Sequence, residues 1–273
     1  MLPSFLLSLR EGLEAALIIG IVLGALRKMN RAQYSSQVWW GAISAIGVSI
    51  LAGLLLFGLG ATLEGAAEEI FEGITMFLAA GVLTWMIFWM QRQARTIKSE
   101  LEAEVRRAST KTGSWALFSL AFLAVVREGV ELALFLTATS FAAGATQTWS
   151  GALLGLAASA LLGWMLFAST VRLNLRAFFQ VTGVLLILFA AGLVAHGVHE
   201  FNEAGWIPAI IEHVWDTNFI LNEASLAGEL LKALFGYNGN PSLTEVLAYL
   251  VYFAAIVVGL KRSNQQVPIV QKV

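Results

Sequence analysis

Seven long apolar stretches dominate the order of residues in this chain and leave it few ways to fold. They fall at residues 5–26, 38–60, 70–90, 115–139, 149–169, 178–199 and 244–260. A helix needs about 20 predominantly apolar residues to cross a hydrocarbon core about 30 Å thick, and within lipid it must satisfy its own backbone groups. The pattern therefore predicts an all-α polytopic membrane protein with seven transmembrane helices. Composition agrees: 58% of the 273 residues are hydrophobic and 13% are charged, against about 25% charged in soluble domains. Pro3, Pro208, Pro241 and Pro268 all lie at the ends of these stretches or between them, so no spanning helix has to accommodate a missing donor. The first stretch has neither a basic leader nor a small-residue cleavage site, and is expected to remain as a helix rather than be removed as a signal peptide.

Basic residues set the expected orientation. Arg27, Lys28 and Arg31 follow the first stretch; Arg92, Arg95, Lys98, Arg106, Arg107 and Lys111 follow the third; Arg172 and Arg176 follow the fifth; Lys261, Arg262 and Lys272 follow the seventh. Fourteen of the 17 basic residues thus fall on one side, with only Lys232 opposite and Arg10 and Arg127 inside stretches. Cytoplasmic connectors carry such an excess, which places the N-terminus outside and the C-terminus in the cytoplasm. Trp39, Trp40, Trp85, Trp89, Trp149 and Trp164 suit interfacial anchors near span ends. The outer connectors are acidic, with Glu64, Glu68 and Glu69 before the third stretch and Glu200, Glu203, Glu212, Asp216, Glu223 and Glu229 in the segment 200–243. Within that segment, residues 224–237 have amphipathic spacing and predict a short helix ending at Gly236. Residues 91–112 read as a soluble amphipathic helix with a solvated face.

The chain also repeats itself. Residues 41–57 resemble residues 151–167, with Gly41, Ser49, Gly53 and Phe57 answering Gly151, Ser159, Gly163 and Phe167; residues 77–83 answer 188–194. Three helices per copy is an odd number, so the second copy must cross the membrane in the opposite sense. Stretches one to three (about 1–95) and four to six (about 113–200) are expected to form an inverted repeat within a single transporter domain, with the outer segment and the seventh helix appended. Inverted repeats are a hallmark of secondary transporters, whose substrate site lies near the midplane.

What the apolar pattern does not explain is a charged motif at matching places in the first and fourth stretches. Arg10, Glu11, Gly12 and Glu14 recur as Arg127, Glu128, Gly129 and Glu131. The i, i+3 and i, i+4 spacings bring the charges of each motif to one helix face. A charge at the centre of a spanning helix costs about 2.5 to 3.5 kcal/mol on insertion scales, so six of them must face one another, water or an ion. Each motif sums to −1, so the facing pair leaves −2 for a cation to neutralise. With no cysteine in the chain, disulfides, iron–sulfur clusters and thiolate sites are excluded. The four carboxylates suit hard cations such as Fe³⁺, Mn²⁺, Mg²⁺ or Ca²⁺, with Fe²⁺ intermediate. Arg10 and Arg127 would balance charge, while Gly12 and Gly129 are expected to remove bulk where the first and fourth helices approach each other closely. The competing account, internal pairing of Arg10 with Glu14 and Arg127 with Glu131, leaves Glu11 and Glu128 without partners. An outer metal-capture site is a further expectation, at Glu69 and Glu72 together with His199, Glu200 and Glu203. No phosphate loop, nucleophile triad or nucleic-acid signature is present.

On these residues the chain resembles the oxidase-dependent iron transporter family, whose signature is the duplicated Arg-Glu-Gly-x-Glu motif, and it is most similar to the bacterial iron permeases of that family. The likeness covers nearly the whole chain, including residues 83–90, 172–179, 202–205 and 235–237. It implies iron uptake across the plasma membrane, the bacterial inner membrane, with the motif carboxylates as metal ligands and iron as substrate rather than a resident cofactor. It also implies periplasmic partners, a cupredoxin-like protein and a haem peroxidase. Two alternatives remain open: a permease for another divalent cation, Pb²⁺ or Mn²⁺, and an intramembrane carboxylate metal enzyme. The second lacks the Glu-x-x-His spacing of di-iron bundles.

Overall fold

The computed structural model describes residues 1–93, 97–111, 114–168, 174–223 and 225–265. Ala224, Arg95, Arg172, Pro268 and Lys272, used above, lie outside the described residues. Among the described residues the regular structure is helical: α1 (Leu2–Lys28), a 3-10 turn (Ala32–Tyr34), α2 (Ser35–Ala61), α3 (Ala66–Gln93), α4 (Ile97–Lys111), α5 (Ser114–Ala143), α6 (Ala145–Ala168), α7 (Leu175–Glu203), α8 (Leu226–Phe235) and α9 (Leu243–Gln265). All helices but α4 and α8 coincide with the seven apolar stretches. Five of them, α2, α3, α6, α7 and α9, are long and apolar enough to cross a membrane. The other two, α1 and α5, miss that composition because the charges of the motif lie well inside each helix.

The helices group into two compact units, residues 1–63 with 93–186 and residues 64–92 with 187–273. Each unit draws helices from both copies of the repeat.

In the first unit, α1 lies along α6 and α2 along α5. The α1/α6 contact is a ladder with a four-residue step: Gly151 meets Ser4, Gly155 meets Ser8, Gly12 meets Ser159, and Gly163 meets Ala16. On the α2/α5 side the same steps recur, Gly41 meeting Ala121, Gly129 meeting Ser49 and Gly53 meeting Ala133. Small residues every four positions let i±4 ridges interdigitate at backbone distance, the usual basis of helix association in lipid. Both pairs are parallel. By contrast, α1 and α5 run in opposite senses: Glu11 lies by Glu128 and Glu131, whereas Val22 and Leu26 share a core with Leu117 and Ala121. A single glycine, Gly144 at φ 85, separates α5 from α6; other residues pay a steric penalty there.

That core joins Ile19, Val22 and Leu26 of α1, Val38, Ala42 and Ala45 of α2, Leu117, Ala121 and Val125 of α5, and Leu101 and Val105 of α4. The solvated reading of the connector helix is thus only half right. Leu101 and Val105 are four residues apart and bury one face of α4, while Glu104, Arg106 and Arg107 stay exposed. On α2 the inward residues are small and the outward ones large, with Trp40, Ile43, Ile50, Leu54 and Leu55 all exposed. Leu153, Leu154, Leu161 and Trp164 repeat this on α6. Apolar surface on this scale belongs against lipid.

In the second unit, Phe77 of α3 stacks on Phe201 of α7 with ring centroids 5.5 Å apart, beside the facing glycines Gly73 and Gly197. Thr84 bonds Tyr252 of α9 at 2.8 Å. Helix α8 starts at Ser225, whose Oγ accepts from Gly228 N at 3.1 Å, and ends at Gly236. The left-handed backbone of Gly236 (φ 66) is what the sequence expectation of a stop there requires, and this glycine packs directly on Gly192.

The ladder makes a direct prediction. A side chain at Gly155 meets the Phe5 carbonyl and the Leu9 amide, which cannot rotate away, whereas Gly24 faces open space. Gly155→Leu is expected to lower the thermal midpoint of detergent-solubilised protein, by about 1–3 kcal/mol or more of overpacking. Gly24→Leu is expected to leave it unchanged.

Candidate metal-ion site

The carboxylates meet where the polar faces of α1 and α5 cross. Glu11 is 1% exposed, Glu128 4% and Glu131 9%, and one ligand oxygen from each lies within 4.8 Å of the others. Oxygens sharing one cation at about 2.0–2.6 Å are at most about twice that far apart, so the three are already within bridging range of a single ion. Both oxygens of Glu11, Oε2 of Glu128 and Oε2 of Glu131 are buried without a hydrogen-bond partner among the described residues. Four such acceptors in one low-dielectric pocket are costly unless a cation or protons reach them.

The fourth motif glutamate is placed differently. Glu14 Oε1 accepts from Arg10 Nε at 3.1 Å, and Glu131 Oε1 accepts from Arg127 Nε at 3.0 Å. Both motifs therefore make the same i, i+4 pair, but Glu131 also reaches Glu11 and Glu128 whereas Glu14 remains with its arginine. Arg127 has a second, longer contact to Glu128 at 3.9 Å. The two arginines differ in access: the Arg10 side chain is 1% exposed and that of Arg127 34%.

Gly12 and Gly129 do permit close approach, but to α6 and α2 and not between α1 and α5. Each admits a serine of the repeat, Ser159 and Ser49, whose Oγ donates to its own helix at Leu156 O and Ala45 O, both 2.8 Å. The sequence marked these serines as a repeated pair; their contact with the motif glycines became visible only in the fold.

The outer candidates Glu69, Glu72, His199, Glu200 and Glu203 lie in the second unit. Among the described residues they do not converge into a ligand group like that of Glu11, Glu128 and Glu131. Both ring nitrogens of His199 are engaged, Nδ1 with Glu245 Oε1 at 3.2 Å and Nε2 with Glu203 Oε1 at 3.3 Å. Glu245 was not anticipated. It is 3% exposed, accepts from Asn238 Nδ2 at 2.8 Å, and forms a capping box at the start of α9: its Oε1 accepts from Ser242 N at 3.1 Å and its amide donates to Ser242 Oγ at 3.3 Å. The signal was present as Ser-x-x-Glu at residues 242–245.

The whole sequence from residue 1 to 261 matches the iron permease FTR1 family. The chain belongs to this family. It is 36% identical over 92% of its length to the ferrous iron permease EfeU of Escherichia coli O157:H7, of which it covers 92%. It is also 34% identical to the ferrous iron permease EfeU of Yersinia pestis, with 92% of this chain and 90% of that one aligned. A similarly close relative from Escherichia coli strain K12, 36% identical with 92% of each chain aligned, is described as a putative inactive ferrous iron permease EfeU. No solved structure matches. As a member of the FTR1 iron permease family, the chain is a membrane transporter and not an enzyme, which closes the metal-enzyme alternative.

For this FTR1-family site, the arginine pairs set an order of stability. Arg10→Met strands Glu14 in a buried setting and is expected to cost about 3–5 kcal/mol. Arg127 is itself the more accessible arginine, 34% exposed against 1%, so water can reach the place its guanidinium leaves and Arg127→Met is expected to cost less. Thermal unfolding of the two variants in metal-free detergent solution measures the difference.

Proposed function

We propose that this chain imports iron, carried as Fe²⁺, across the bacterial inner membrane through a midplane site built by its two Arg-Glu-Gly-x-Glu helices. The observation that carries this is the convergence of Glu11, Glu128 and Glu131 with four buried carboxylate oxygens lacking partners. The ferrous ion is the cargo named for the EfeU relatives. In this mechanism the cation binds first to the three converging carboxylates. Glu14 then exchanges its arginine for the ion, completing a four-carboxylate set. Arg10 and Arg127 act as built-in counter-charges: each holds a glutamate in place when the site is empty and releases it when a cation takes over its charge.

The rest of the proposal concerns setting. All seven apolar helices cross the membrane as an inverted repeat plus α9, with α1 beginning outside, in keeping with the distribution of basic residues. In the second unit the charges of Glu68, Glu69, Glu200 and Glu203 all act on Glu72, and this acidic group would gather cations on the outer face. His199, held between Glu203 and Glu245, orders that surface and is not itself a ligand. The cupredoxin-like protein and haem peroxidase implied by the family resemblance would supply iron from the periplasm.

An all-oxygen ligand set favours one further reading, transport of Mn²⁺ or Pb²⁺ by the same site, because carboxylates discriminate weakly among divalent ions. Radio-iron uptake by reconstituted vesicles tests both. Glu11→Gln and Glu131→Gln are expected to lower the rate at least about tenfold, since even outer partners of metal ligands are worth that much, while Glu212→Gln leaves it near wild type. Wild-type rates in both motif variants would overturn the carboxylate site. Mn²⁺ or Pb²⁺ that is itself accumulated, and not merely inhibitory, would establish the broader substrate range.

A further inference from the structure

The contact ladder of the first unit is used twice, so each position on α1 has a packing counterpart 117 residues later on α5, and each on α6 one 110 residues earlier on α2. The correspondence is geometric as well as sequential. Gly151 meets Met1 O and Ser4; Gly41 meets Phe118 O and Ala121, the residues 117 further along. Around the carboxylates the counterparts match, Gly12 with Gly129 and Ser159 with Ser49. Three buried pairs away from the carboxylates do not, although Gly151 with Gly41, Gly163 with Gly53 and Ala16 with Ala133 do. Ser4, Ser8 and Thr148 are each 0% exposed, and their counterparts are Ala121, Val125 and Val38, equally buried at 0%, 5% and 0%.

The two sets lie on opposite sides of the ion site. Ser4 and Ser8 precede Glu11 by seven and three residues, on one face of α1 towards Met1. Val38, Ala121 and Val125 belong to the apolar core that α1 enters beyond Glu14, from Ile19 onward. Ser8 Oγ and Thr148 Oγ1 have no hydrogen-bond partner among the described residues, and neither do the two oxygens of Glu11. Ser4 Oγ, by contrast, donates to Met1 O at 2.9 Å. Hydroxyls in helices ordinarily satisfy themselves on the preceding turn, as Ser49 and Thr139 do here. Two buried hydroxyls that do not, on the side of the site where the counterparts are valines, call for a ligand.

We propose that Ser4, Ser8 and Thr148 line the path by which a partly dehydrated cation reaches Glu11, and that Val38, Ala121 and Val125 seal the equivalent path on the far side. Resting as it does on the glutamates being the translocation site, this deepens that function by giving it a direction. Hydroxyl oxygens are hard ligands that replace water around a metal ion one molecule at a time, while an apolar constriction excludes a hydrated ion by refusing to wet. A repeat symmetric in both halves would admit the ion equally from either side. Substituting three hydroxyls by apolar residues on one side alone leaves the site prepared for approach from the Met1 end of α1.

The chain has no cysteine, so single cysteines can be introduced without altering the background. Membrane fragments exposing both faces are treated with a cationic methanethiosulfonate, and modification of Ser8→Cys and Thr148→Cys is compared with that of Val125→Cys and Val38→Cys. The hydroxyl positions are expected to react at least about tenfold faster than their apolar counterparts, and Fe²⁺ kept reduced with ascorbate is expected to slow them. The pair Ser4→Cys and Ala121→Cys replaces any pair in which a variant fails to fold. Equal or reversed rates would overturn the path whatever the uptake of the glutamate variants. Faster reaction that Fe²⁺ does not slow would overturn it as a metal path. Loss of the Fe²⁺ effect in a Ser8→Cys/Glu11→Gln double variant, with the rate asymmetry retained, supports the path and ties it to the carboxylates.

Discussion

Two arginines and four glutamates have to share one interior of low dielectric, and most of the first unit follows from that requirement. An isolated charge in such a place is prohibitive, so each arginine is held by the glutamate one turn away on its own helix, Arg10 by Glu14 and Arg127 by Glu131. The pairing leaves Glu11 without an arginine and Glu128 with only the longer 3.9 Å contact to Arg127, and α1 and α5 bring these two together with Glu131. To bury those faces, α1 and α5 need close-fitting neighbours. The glycines and serines of α6 and α2 provide them, leaving the large side chains of α2 and α6 to face outward.

The same economy explains why the helices pair across the repeat. If α1 packed chiefly on α2, its neighbour in sequence, the two motifs would not be drawn to one place by symmetry. Pairing α1 with α6 and α5 with α2 interleaves the copies, so Gly12 on Ser159 and Gly129 on Ser49 hold the motifs at equivalent heights. The carboxylates can then approach within bridging distance without any covalent link between the copies. Interleaving also separates two tasks. Residues at the crossing are alike in the two copies, while some a turn or two away differ, as Ser8 and Val125 do.

Much of this was legible in the residues because it depends on short-range rules. The seven apolar stretches all fall on helices, since apolar runs of that length without internal proline favour helix, and five of those helices are long and apolar enough to cross a membrane. Gly236 ended α8 as its position after an amphipathic run required. The motif spacing put the charges of each helix on one face. Other features were not readable in advance. Nothing local told that Gly12 would face Ser159 and not the opposite motif, because a glycine states only that bulk is absent and not which helix uses the space. Leu101 and Val105 looked like part of a solvated connector until α1 and α5 were found to supply a surface for them. Glu245 escaped notice because its partner His199 is 46 residues away, although its capping role was written in Ser242-x-x-Glu245.

The sequence by itself determined an all-helical membrane transporter with a duplicated charged motif, together with the family to which that motif belongs. These follow from hydropathy, helical periodicity and the identity of a few residues, none of which requires knowing what lies across the bundle. Only the tertiary structure decided that three of the four glutamates converge while Glu14 stays with Arg10. It alone put the buried hydroxyls of Ser4, Ser8 and Thr148 on the Met1 side of them and the apolar Val38, Ala121 and Val125 at the equivalent positions on the other side. Both depend on the register between helices more than a hundred residues apart in sequence, and register is set by the step-by-step fit of glycine, serine and alanine along the α1/α6 and α2/α5 contacts, where a shift of one residue would turn every polar group to the wrong face.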